Sequence, residues 1–129
     1  MTGPWDAGIG LLYAAEARKA APIRLLARGT PFVVVAVVEV GENVMEVVDD
    51  YELFLFVRNR SRSSTLLNVR EARFPDPQTG PLVDTVHIRF DGDWVAQEGD
   101  VLDVCATLKV TAGVNTRYAQ AEGSAFIVV

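Results

Sequence analysis

Phe32-Val33-Val34-Val35-Ala36-Val37-Val38-Glu39-Val40 is the stretch that decides the fold. Valine dominates it, and a β-branched side chain, stiff at χ1, suits a pleated surface better than a helix. Apart from Glu39 the run is continuously apolar, so it lacks the alternation of a strand with one wet face. Both faces of this strand therefore need cover, from the core on one side and from a helix or a second copy of the chain on the other.

Downstream of it, Gly41, Glu42 and Asn43 predict a turn, Val44 to Val48 a short strand, and Asp49-Asp50 a break before a strand over Tyr51 to Val57. These runs read as a meander. Arg58 to Ser64 reads as a polar loop, Thr65 to Phe74 as another strand, and the proline-rich 74–81 as the longest loop. Over 82–90, Leu82, Asp84, Val86, Ile88 and Phe90 alternate with Val83, Thr85, His87 and Arg89, which turns the second set toward water. Asp91-Gly92 signals a hairpin. Gly99-Asp100 opens a strand over Val101 to Val110, with Leu102, Val104, Ala106, Leu108 and Val110 inward, and after Ala112-Gly113 a last strand runs from Thr116 to Val129 with a bulge at Gly123. About seven strands at short spacing predict a mainly β chain, an antiparallel β-sandwich or flattened barrel rather than a βαβ sheet.

Upstream, Pro4 to Ala21 is rich in alanine, and Trp5, Ile9, Leu12 and Ala15 fall at spacings of three and four, which predicts a helix weakened by Gly8 and Gly10. Pro22 interrupts it, and Ile23 to Ala27 form a second short turn stopped by Gly29. The expected layout is a single domain over 1–129, with a helical N-terminus over 1–29 packed on a β body over 31–129.

The chain has 129 residues, half of them hydrophobic, which suits one globular domain with one core. Its net charge of -5 disfavours nucleic acid and anionic membrane as partners, since both must be met with Lys and Arg. The positive charge gathers at the N-terminus, where Arg18, Lys19, Arg24 and Arg28 outnumber Asp6 and Glu16. Cys105 is the single cysteine, so no intrachain disulfide can form, and a reducing cytoplasmic location is expected. The Ile9 to Ala15 run has no basic segment ahead of it and does not read as a secretory leader. No apolar run approaches the roughly 20 residues that span a bilayer.

His87 is the single histidine and the best candidate base if the protein is an enzyme, although its alternation reads as a plain surface position. Cys105 falls on the polar register of its strand, where a reactive thiol would need a neighbouring cation and a packed one needs only cover. Arg58, Arg60 and Arg62 put three guanidinium groups in one loop, where they could hold a phosphate or carboxylate, or simply keep a sheet edge soluble. Asp91-Gly92-Asp93 resembles the opening of a calcium loop but fits a hairpin turn better, and Asp49, Asp50 and Glu52 read as a solvated turn, so no metal and no cofactor are expected. The sequence contains no HExxH, P-loop or CxxC.

Residues 51–110 resemble a generic bacterial immunoglobulin-like domain. The resemblance rests on the Tyr51 to Val57 strand running into Arg58-Asn59-Arg60-Ser61, the Asp76-Pro77 to Gly80 turn, and Glu98-Gly99-Asp100 opening a long alternating strand. It implies a binding or assembly module without catalytic residues. A second, partial resemblance is to hotdog-fold acyl dehydratases and thioesterases, through Leu25-Leu26 followed by Pro31-Phe32 and an apolar strand, and through 99–129 as closing strands. The family's histidine after the Leu-Leu pair is replaced by Arg28 or a neighbour, and its His-Phe-Pro segment is absent. The expected function is a non-enzymatic interaction or assembly domain, a homo-oligomer and most simply a dimer, with room for a protein partner. The alternative is a small-ligand or acyl-group-binding protein with weak hydrolase or dehydratase activity.

Overall fold

A computed structural model describes residues 2–19 and 21–129. Among the described residues the chain is mainly β. Its strands are β1 (Ala7–Glu16), β2 (Leu25–Leu26), β3 (Phe32–Val40), β4 (Asp50–Asn59), β5 (Ser64–Arg73), β6 (Leu82–Phe90), β7 (Val101–Ala112), β8 (Asn115–Glu122) and β9 (Phe126–Val128), with one short helix, α1 (Glu42–Met45). They form a three-stranded sheet, β1-β3-β6, and a six-stranded sheet, β2-β9-β7-β4-β5, in which β8 also pairs with β7. Pairing is antiparallel except between β2 and β9.

The predicted N-terminal helix is overturned where the chain is described; Met1 and Ala20, which that reading included, lie outside the described residues. Ala7–Glu16 is a strand paired along β3 from Ala7↔Val40 to Glu16↔Phe32. Two periods fit this segment, and the ladder along β3 selects the strand, since it satisfies a whole row of backbone donors and acceptors. Gly10 carries the bulge, and a Cβ there would lie 3.0 Å from the Glu39 carboxylate.

Four further expectations are corrected. The short strand over Val44 to Val48 is instead α1 and its continuation, which buries Val44, Met45 and Val48 at one end of the core. The meander does not form, because β3 pairs with β1 and β6 while β4 lies in the other sheet between β5 and β7. Asp91-Gly92 opens no hairpin. It starts a crossover between sheets in which Gly92 passes so close to Gly29 that a Cβ would lie 2.3 Å from its carbonyl oxygen. The last long strand is broken rather than bulged: Gly123, pressed on the backbone of Leu12, separates β8 from β9.

The inner faces of both sheets meet in one hydrophobic cluster. Val34, Ala36 and Val38 of β3 face the same cluster as Leu53, Leu55 and Val57 of β4 and Val104, Leu108 and Val110 of β7, all essentially inaccessible to solvent. Phe32 sits at one end of it, 5.2 Å from Phe90, 6.0 Å from Trp94 and 6.1 Å from Phe126 between ring centres. Trp94, in the crossover, donates its indole N–H to the Thr30 carbonyl at 2.7 Å, so an aromatic plug closes this end with its polar atom satisfied.

Candidate interaction surface

Strand alternation sends Val33, Val35 and Val37 to the outside of the three-stranded sheet. The register sets Tyr13 and His87 on either side of Val35, and Leu11 and Thr85 on either side of Val37. Val83 lies on the same outward row of β6. Leu11 is 60% exposed and Val83 65%, with Val33 and Val37 half-buried between them, whereas Val35 is screened to 5% by its neighbours. No helix packs above this face; neighbouring side chains screen its middle, Ala15 fully and Val35 nearly so, while Leu11 and Val83 at its margins stay open. The charged groups on the face are Glu39, at the α1 end, and Arg89, at the other.

His87 stands in the middle of this face, exposed, across from Val35. Arg89 is two residues along and ion-pairs with Asp91 at 3.5 Å. A base needs a substrate held within hydrogen-bond reach, and an open flat sheet offers no walls to hold one.

Arg58, Arg60 and Arg62 occupy the end of β4 and the turn into β5, all three turned toward carboxylates. Arg58 forms a two-pronged contact with Asp103, at 3.0 and 2.9 Å, and reaches Glu122 at 3.5 Å. Asp103 thereby holds the guanidinium above its already high ordinary pKa. Arg60 lies 3.9 Å from the same carboxylate, and Arg62 lies 3.4 Å from Asp100. Asp100 is buried, accepts from the Gln97 backbone N–H at 3.0 Å and from the Asn59 amide at 2.9 Å, and is held below the usual carboxylate range chiefly by those bonds. The three arginines thus tie the β4–β5 turn to the start of β7. A polar cleft of about 390 Å³ beside them is lined by Ser63, Ser64 and Thr65 as well as Arg58 and Arg60.

Cys105 keeps the outward register predicted for it, half-buried between Phe56 and Glu122. Burial pushes its thiol pKa up despite nearby Arg58, which opposes thiolate formation. Among the described residues no group of three or more His, Cys, Asp or Glu side chains could hold a metal ion.

The sequence reading missed two polar contacts between elements. Tyr51, fully buried, donates its hydroxyl to Asp84, joining β4 to β6 across the two sheets, and Arg73 lies 3.6 Å from the same carboxylate. Burial and the Asp84 carboxylate together push the phenol pKa well above its usual range. Inward-facing Asp84 was visible as the one acidic residue in an apolar register, but its partner lies 33 residues away. No helix among the described residues is long and apolar enough to cross a membrane. No family model matches the chain, and no curated protein is significantly similar to it.

Proposed function

We propose that the protein is a non-enzymatic assembly domain, an immunoglobulin-like β-sandwich that self-associates as a dimer through the outer face of its three-stranded sheet. One observation carries this reading: Val33, Val35 and Val37 line an apolar face over which no helix packs, with Tyr13 beside them and Leu11 and Val83 exposed at its margins. Such a face is unusual on a soluble monomer, and a two-fold contact is the commonest way of hiding it. The immunoglobulin-like assignment is supported by two sheets sharing one core, by the split of β1, β3 and β6 from β5, β4, β7 and β8, and by the parallel pairing of β2 with β9.

Three strands about 4.8 Å apart and nine residues of about 3.3 Å rise give a flat footprint on the order of 400 Å². A standard interface takes about 800 Å² from each partner, so the dimer should dissociate in the micromolar range. Light scattering on the eluted protein tests this. A mass rising from 14.0 kDa toward twice that value with concentration is expected, and a constant 14.0 kDa species up to high micromolar concentration would defeat the reading.

A further inference from the structure

The two ends of the molecule carry opposite charge. At the α1 end Asp6, Glu42, Glu46 and Asp49 are exposed, and none of them has a cationic partner within 4 Å among the described residues. Between them Trp5 and Val47, 55% and 52% exposed, line one shallow groove whose one charged side chain is Arg117, which donates to the Trp5 carbonyl at 2.9 Å, so carboxylates outnumber cations four to one at this end. The opposite end holds a cleft of about 620 Å³ whose apolar lining includes Leu25 and Pro31 and whose charged lining is Arg18, Lys19 and Arg89 against Glu16 alone. Lys19–Glu16 and Arg89–Asp91 are exposed pairs at 3.2 and 3.5 Å, weak enough to be exchanged for other carboxylates.

We infer that the Trp5–Val47 end of one copy, where Asp6, Glu42, Glu46 and Asp49 outnumber Arg117, docks at the cation-lined cleft at the opposite end of another, a head-to-tail contact. The two ends complement each other in exposed apolar surface and in net charge. A partly exposed tryptophan is the side chain most often found to anchor an interface, and a cleft of this size is in the range that accepts a group as large as an indole. Opposite charges around each rim orient the approach and reject like ends. Because the two surfaces differ, the contact is heterologous and propagates into chains or closes into rings instead of stopping at a pair. It shares only Arg89 with the sheet face described above.

Sheets about 10 Å apart make an end face on the order of 400 Å², so the contact should be weak and dependent on its charges. Sedimentation velocity of the full chain at about 20 mM and about 500 mM salt separates it from an apolar contact, which salt does not screen. Species larger than a dimer are expected at low salt, with association weakened at least ~10-fold at high salt. Arg18→Glu with Lys19→Glu, or Glu42→Lys with Glu46→Lys, should each remove the large species. Mixing the two variants should restore one contact per pair, between the intact acidic end of the first and the intact cleft of the second. All four exchanged side chains are exposed, and circular dichroism checks that each variant is folded. Absence of low-salt growth in the wild type would overturn the inference. So would a mixture of the two variants that associates no better than either alone, even if an acidic partner from elsewhere fits the cleft. Loss of the salt-resistant dimer alone would count against the sheet-face reading and leave this one standing.

Discussion

The two sheets bury their inner faces alike and differ on their outer ones. Outside the six-stranded sheet, Glu52 meets Arg70, Arg70 lies over the Phe54 ring at 5.8 Å, and Arg58 covers Asp103, so polar and aromatic side chains are interleaved and paired with each other. Outside the three-stranded sheet, Leu11, Tyr13, Val33, Val35 and Val37 lie side by side with no ion pair among them. A sheet facing water along one side normally alternates apolar and polar residues. On the six-stranded sheet β4 breaks that rule with outward Phe54 and Phe56, but Arg70 lies over Phe54 and Cys105 and Thr107 flank them, whereas the outward valines of β3 have only apolar side chains from β1 beside them.

Substitutions on either side of β3 sharpen the contrast. Phe32→Ala, on the inner side, removes a fully buried ring from the Phe90–Trp94–Phe126 cluster and should cost about 3–5 kcal/mol, read as a fall in the chemical denaturation midpoint. Val37→Lys, on the outer side, should leave a folded monomer, with about 1–2 kcal/mol lost from this half-buried site. The matching control on the other sheet, Thr107→Lys, should change neither mass nor stability by more than about 0.5 kcal/mol. If Thr107→Lys dissolves the dimer and Val37→Lys does not, the two faces have been assigned the wrong way round.

Tyr51 tests the tie between the sheets. Its folded pKa is raised above the ordinary value of 10.0, so the neutral phenol stabilises the fold below that pH, and this contribution is lost as pH climbs through the folded value. Tyr51→Phe should cost about 1–2 kcal/mol at neutral pH, the loss of one buried hydrogen bond. It should also flatten the alkaline limb of the stability curve, since the titrating group is gone. In the wild type, ultraviolet titration should leave Tyr51 neutral through the ordinary tyrosine range. Ionisation of Tyr51 within that range in a still-folded protein would contradict the buried Tyr51–Asp84 bond.

What was legible in the sequence followed from local pattern. The alternation of Leu82 to Phe90 and Val101 to Val110 placed β6 and β7, and with them the outward positions of His87 and Cys105, because a period of two needs no partner to be read. What was not legible depended on partners. Trp5, Ile9, Leu12 and Ala15 fit a helical stripe while Leu12 and Ala14 fit one face of a strand, and only β3, further along the chain, decides for the strand. Val44 to Val48 has strand composition, yet it closes the end of the core as α1. The outer face of β3 was half legible: Val33, Val35 and Val37 announced a need for cover, but the expected helix turned out to be β1, a neighbour in the sheet that leaves this face open. The arginines at 58, 60 and 62 were visible as a group, while Asp100 and Asp103 were read only as part of another strand.

The most direct test of the central claim is the solvent accessibility of valine methyl groups, measured by NMR with a soluble paramagnetic agent at about 500 mM salt, where charge contacts are screened. On raising the protein concentration from low to high micromolar, the methyl signals of Val33, Val37 and Val83 should become protected while fully exposed Val114 stays bleached. Unchanged bleaching at Val33, Val37 and Val83 across that range would contradict the assignment of this face as the surface through which the protein assembles.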